Sequence, residues 1–330
     1  MALIDTLDTL FGIRKALVVG FLVAAAAVFT LMPMAVRKLR GAGIVGRDVN
    51  KPHRPEVPEM GGLVVFLAFN AAVFLVLALG NLGRAQEELV LVGLIVAAGA
   101  TITGILDDLV RLRQQFKAYI PIGFSIPLVL YVEESVIDFG LWSYDFGPLY
   151  ALVLVPLAVA AASNGFNMLE GFNGLGAGLG LIIAAAMTVM AFASGELLGL
   201  ALLVPLMGAM AAFLAYNLYP ASIFPGDTFT LLVGAVLAVA SMLSRIEFWA
   251  ALLFVPHVLE FFLKARGRFA TQSFAQEVRD GKMHYEGPIH SLTHLAMRSG
   301  RHSEPKVVVL LWTGMAAYAA VVLVLFTLFG

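Results

Sequence analysis

Two adjacent carboxylates, Asp107 and Asp108, stand where a long apolar segment runs out, and Lys117 follows nine residues after the second. Charged groups beside a bilayer are costly, so paired acids with a cation in reach of the same spot mark a place where chemistry is expected. Three further polar runs interrupt apolar sequence. Residues 50–62 carry Asn50, Lys51, His53, Arg54, Glu56 and Glu59; residues 164–174 carry Asn164, Asn167, Glu170, Asn173 and Gly171; residues 217–228 carry Phe224, Pro225, Gly226 and Asp227. Acids, amides, a lysine and backbone-exposing glycines form the donor set of a metal and phosphate site. Mg²⁺ takes one or two carboxylates and leaves its other positions to substrate phosphates and water, while glycine lets backbone N–H groups approach phosphate oxygens. Mn²⁺ is the alternative ion.

The elements that must hold these residues are membrane helices. With 60% hydrophobic and 13% charged residues in 330, and a mean hydropathy of +0.91, the chain has too little polar surface to cover a water-soluble globule. An all-α polytopic membrane protein with about ten transmembrane helices is expected, the fourth (118–133) and ninth (248–263) being short for a span. All but four of the 21 Lys and Arg, the exceptions being Arg14, Lys15, Arg84 and Arg245, fall on one side of that arrangement. The bias places both termini outside and the loops 36–61, 107–117, 164–174, 217–228 and 264–306 in the cytoplasm, within a single integral domain 1–330. Every chemically suggestive segment then lies on the inner face. A net charge of −1 argues against a nucleic-acid partner, and the absence of Cys excludes disulfides and thiolate metal sites.

Plainer roles compete with the functional ones. An isolated Asn is more often a cap or turn former than a ligand, and Gly174, Gly176, Gly178 and Gly180 read as small-residue helix packing. His257, inside the ninth span, reads as a satisfied packing histidine. His290 and His294 stand four apart, but no Glu follows His290 as a zinc-protease helix requires, so phosphate or sugar contacts, or plain interfacial polarity, are better readings than zinc. The polar insertion 264–306 holds eight Lys or Arg and reads as a partly folded cover over the site, with Arg298 and Arg301 as its phosphate contacts.

Four of these segments also carry a resemblance. Asp48-Val49-Asn50-Lys51 with Val57-Pro58-Glu59, the stretch from Asp107-Asp108 to Lys117, Asn164-Gly165-Phe166-Asn167 through Gly174, and Phe224-Pro225-Gly226-Asp227-Thr228-Phe229 resemble the motifs of the polyprenyl-phosphate N-acetylhexosamine-1-phosphate transferases. The likeness is greater to the UDP-N-acetylglucosamine:dolichyl-phosphate branch than to the bacterial peptidoglycan branch, whose adjacent histidines are replaced here by Pro288-Ile289-His290-Ser291-Leu292-Thr293-His294. It implies a ten-span fold in a prokaryotic, archaeal-like cell membrane and an active site on the cytoplasmic face. The implied reaction moves N-acetylglucosamine 1-phosphate from UDP-N-acetylglucosamine to a dolichyl or other polyprenyl phosphate, with release of UMP. Another UDP-N-acetyl-sugar or undecaprenyl phosphate is the near alternative. The resemblance further implies that Asp227 and Asn167 hold Mg²⁺, that Lys117 binds the pyrophosphate, and that Asp107 and Asp108 line the centre facing the lipid phosphate. Phe224 would stack on uracil, Asn173 and Gly171 would line the uridine pocket, Glu59 would lie near the nucleotide, and Val49 and Asn164 would also touch substrate. A homodimer is admitted. The rival from another class is a cation-coupled transporter, since intramembrane acids and glycine-interrupted helices also mark ion pathways.

Overall fold

A computed structural model describes residues 2–51, 53–132 and 134–330, and the protein is an all-α polytopic membrane protein. Twelve helices follow in order: α1 (Ala2–Gly41), α2 (Gly62–Leu79), α3 (Arg84–Val110), α4 (Gln114–Tyr131), α5 (Val155–Met168) entered through a π-helical turn (Tyr150–Leu154), α6 (Leu175–Ser194), α7 (Leu200–Asn217), α8 (Asp227–Leu243), α9 (Glu247–Leu253), α10 (Val255–Arg266), α11 (Leu292–Met297) and α12 (Glu304–Phe329). Three short antiparallel hairpins lie between them: β1 (Val45–Arg47) with β2 (Glu56–Pro58), β3 (Val136–Asp138) with β4 (Ser143–Asp145), and β5 (Glu277–Arg279) with β6 (Lys282–His284). The last turns at Asp280-Gly281, both at positive φ, the pairing that a two-residue hairpin of this twist demands.

Among the described residues seven helices are long and apolar enough to cross a membrane, or eight if α9 and α10, bent by 52°, form one broken span. The expected ten is therefore not reached on that measure. Each expected span is helical, but α8 has only 17 residues and α4 carries Pro121 and Pro127. Pro256 in the first turn of α10 accounts for the break after α9, because proline removes the N–H that a continuous helix would use there.

Helix α8 is the axis of the bundle. Every residue from Thr228 to Leu243 is buried, as a helix apolar on all sides must be, and α2, α3, α5 and α7 pack round it. Two glycines set how close they come. A Cβ on Gly104 of α3 would lie 2.4 Å from the Thr228 backbone, and one on Gly62 of α2 would lie 2.2 Å from the Phe229 nitrogen. Small residues of this kind let membrane helices meet at backbone distance, where dispersion and dipolar contacts replace the absent hydrophobic drive. The C-terminal end of α3 is thereby held against the N-terminal end of α8.

Candidate active site

Helix α3 stops at Arg111, whose φ of +52° places it in the left-handed region, and the Asp107 carboxylate accepts the N–H of Leu112 at 2.7 Å just beyond. That stop aims the next acid across the gap to α8. Asp108 Oδ1 accepts the Asp227 N–H at 2.7 Å, and Oδ2 accepts the Thr228 N–H at 3.1 Å and its hydroxyl at 2.6 Å. A carboxylate on another helix thus caps the first turn of α8, satisfying N–H groups that have no partner within it and lying at the positive end of its dipole. Gly226, at φ +71°, makes room, since a Cβ there would stand 2.4 Å from Asp108 Oδ2.

With its backbone fixed, Asp227 turns its carboxylate to Lys117 at the start of α4, and Lys117 also pairs with Asp107. One ammonium between two carboxylates leaves the triad with a single net negative charge. Asn167 on α5 is joined to the same helix through its Oδ1, which accepts the Thr230 hydroxyl at 3.1 Å. Among the described residues no group of three or more His, Cys, Asp or Glu could hold an ion unaided. Asp227 and Asn167, lining one cavity, nonetheless fit the donor set of Mg²⁺, which needs few protein ligands where phosphate oxygens complete its shell.

That cavity has about 300 Å³ and is lined by Val49, Glu59, Asn167, Gly171, Asn173, Phe224 and Asp227, all expected, and by Arg47, Asp48, Asn50, Glu170, Asn217, Thr230 and Phe274, which were not singled out as site residues. Its walls are tied by backbone: Phe224 N–H donates to Pro58 O at 2.7 Å, Gly61 N–H to Phe224 O and Gly62 N–H to Pro225 O at 2.9 Å. The β1–β2 hairpin is thus laid along residues 224–226. Burial, and after it the Asp108 charge, push the Glu59 carboxyl above its ordinary range, with Arg111 opposing. Glu170 was passed over. Its residue is only part-buried, yet Oε2 is shut off from solvent without a hydrogen-bond partner, and burial pushes its carboxyl up to about 7.

A second cavity, about 900 Å³ and almost wholly apolar, runs along α4, α5, α8, α9 and α10 from Ile137 and Glu247 at one end to Gln115, Asn164 and Phe269 at the other. Asn164 lines it rather than the polar cavity, and donates to Lys117 O at 3.2 Å. His257 lines it as well and stacks on Phe166 with centroids 5.4 Å apart. Packing is therefore its role, but it is not satisfied, because neither ring nitrogen has a partner among the described residues.

Segment 264–306 is folded, through β5, β6 and α11. Glu260 accepts the Leu292 N–H at 2.7 Å, Lys264 reaches Ser273 Oγ at 2.7 Å, and Tyr285 stacks on His294 at 3.6 Å. Phe274 carries the segment into the polar cavity, beside Gly171. The structure does not bring His290, Arg298 or Arg301 to either cavity, and Asp107, Asp108 and Lys117 line neither, being tied to the polar one through Asp227. His290 Nδ1 lies 3.0 Å from Thr271 Oγ1, and the two arginines are exposed around the end of α11.

The chain is similar to known proteins of one family. Residues 90–245, from α3 to the end of α8, match the family model described as glycosyl transferase family 4. A protein of Saccharolobus solfataricus is 37% identical over 88% of this chain and 90% of its own length. It is provisionally named UDP-N-acetylglucosamine--dolichyl-phosphate N-acetylglucosaminephosphotransferase, as is a Sulfolobus acidocaldarius protein 34% identical over 97% of this chain and 98% of its own. The chain belongs to glycosyl transferase family 4. A Saccharomyces cerevisiae protein with the same name, without the qualification, is 25% identical over 74% of the chain and 65% of its own length. This family member is an enzyme that transfers a sugar phosphate, and nothing favours the rival transporter.

Proposed function

We propose that the protein transfers N-acetylglucosamine 1-phosphate from UDP-N-acetylglucosamine to a dolichyl or related polyprenyl phosphate, releasing UMP. The observation that carries this reading is the junction of two unlike cavities on one turn of α5: Asn164 lines the long apolar one and Asn167 the small polar one. Residues three apart on a helix are neighbours on one face, so a tail in the first cavity delivers its phosphate to whatever sits in the second. Relatives named for dolichyl phosphate and UDP-N-acetylglucosamine support the same pair of substrates. In the reaction an oxygen of the lipid phosphate bonds to the sugar-linked phosphorus while the pyrophosphate bond to UMP breaks. A phosphate monoester has its second pKa near 6, so much of the acceptor is already dianionic near neutral pH and no strong base is required.

The remaining difficulty is bringing anions together. Lys117 lines neither cavity itself but pairs with Asp227, which lines the polar one, and from there it offers its charge to the pyrophosphate; Phe224 offers a face for uracil with Asn173 and Gly171 beside it. Asp227 and Asn167 would hold Mg²⁺, which when bound supplies further positive charge against phosphate oxygens. Asp108, with both oxygens spent on α8, acts by positioning Asp227. The whole chain forms one integral membrane domain, and the basic bias of loops 36–61, 107–117, 164–174, 217–228 and 264–306 supports a cytoplasmic site. The deciding experiment gives purified protein radiolabelled UDP-N-acetylglucosamine, UDP-N-acetylgalactosamine and UDP-glucose with polyprenyl phosphates of several lengths and follows UMP and lipid-linked sugar by mass. UMP release that needs both a UDP-N-acetyl-sugar and the lipid is expected; equal release without lipid would refute it.

A further inference from the structure

We infer that Glu304, at the start of α12, is a positioning residue for the nucleotide end of the site, fixing Asn173 through a closed ring of contacts with Asp48 and Lys51. The inference rests on the nucleotide reading of the polar cavity. Glu304 Oε1 accepts the Asn173 backbone N–H at 3.0 Å, and Asn173 Nδ2 donates to Asp48 Oδ2 at 3.2 Å. Lys51 closes the ring, pairing with Asp48 and standing 3.3 Å from Glu304 Oε2, with its ammonium 4.6 Å above the Tyr219 ring. The two acids are each only 4% exposed, so neither tolerates loss of its partner cheaply.

The ring sets the orientation of an amide. A carboxylate only accepts hydrogen bonds, so Asp48 holds the Nδ2 side of Asn173 and leaves Oδ1, which makes no hydrogen bond among the described residues, for the cavity. An acceptor so fixed matches the N–H on the edge of a pyrimidine such as uracil. Glu304 and Lys51 line neither cavity and so act only through Asn173 and Asp48, which do line the polar one. Without Glu304 the Asn173 N–H loses its acceptor and Lys51 loses its second acid, freeing both the main chain and the amide to turn. Glu304 lies 131 residues from Asn173 in the chain, and α12 otherwise packs on α6 beside it, so the last helix becomes a buttress of the donor site.

The test compares full-length wild type with Glu304→Leu, Lys51→Met and the double variant in detergent, measuring thermal stability, UMP affinity, and steady-state constants for UDP-N-acetylglucosamine and the lipid. Each single change should raise KM for the UDP-sugar about tenfold or more, the scale of one lost hydrogen bond to a charged group, with kcat and the lipid KM within about twofold. The double variant should be no worse than the poorer single, because the two side chains act as one unit. Lower stability with unchanged nucleotide KM would make the ring a mere stitch for α12 and overturn the proposal, as would a fall in kcat alone. Should Glu304→Leu fail to fold, Lys51→Met decides by the same criteria. Wild type that neither binds UMP nor turns over the UDP-sugar would instead refute the nucleotide reading.

Discussion

Asp227 has two kinds of partner at once, its N–H held by Asp108 and its carboxylate by Lys117, so the backbone place and the charge are separable. Asp227→Asn keeps the N–H and the shape while removing the charge. It should leave the melting temperature near wild type and lower UMP release by roughly 100-fold or more, the scale seen when one electrostatic group is removed from a transition state. Wild-type turnover at saturating Mg²⁺ would contradict this. Glu170 gives a pH prediction. Its folded carboxyl titrates at about 7 against an ordinary 4.5, so between those values the folded protein binds the extra proton and stability falls as pH rises. At 1.36 kcal/mol per pH unit that is about 3 kcal/mol. In EDTA, the wild-type melting temperature should therefore drop between pH 5 and pH 8 more steeply than that of Glu170→Gln; parallel curves would show that Glu170 does not titrate in this range.

Among the elements, the contact of α3 with α8 governs the site, because it sets where Asp108 meets the first turn of α8. Gly104→Leu would drive a side chain into the Thr228 backbone, which unlike a flexible side chain cannot swing aside. An overpacked core position costs about 1–3 kcal/mol or more, so this variant should melt lower and lose UMP release. Gly123 on α4, with open space where a Cβ would stand, is the control: Gly123→Ala should be neutral or slightly stabilising. Comparable melting temperatures for the two variants would remove the close approach from the account. The positions of the paired acids were legible in the sequence, since the change from apolar to polar residues marks where a span ends. That Asp108 caps a helix begun 119 residues later was not, because a cap between helices leaves no local spacing to read.

For the whole molecule, the apolar cavity and the polar one must serve a single reaction. Ala161→Trp places an indole in the apolar cavity at an exposed position away from the α8 contact. It should raise KM for polyprenyl phosphate while UMP affinity stays at the wild-type value. Unchanged lipid KM in the folded variant would show that the tail lies elsewhere. The short fourth span and the broken ninth line the apolar cavity through α4, α9 and α10, whereas the first inner loop and α2 take no part in it.

By itself the sequence determined the solvent, the helical class, the polar runs and seven of the residues round the polar cavity, because bilayer thermodynamics confines such groups to a few segments and their types already state the chemistry. The break between α9 and α10 was not read, since 248–263 was expected as one span, although Pro256 is the signal that could have found it. Only the tertiary structure decided which groups meet. Lys117 spans Asp107 and Asp227, Glu170 loses its solvent under the α6 start, Glu304 returns from the last helix to Asn173, and His290, Arg298 and Arg301 stay away from both cavities. The physical reason is that side-chain type and local period are written along the chain, whereas electrostatic pairing and burial depend on distances between segments far apart in it.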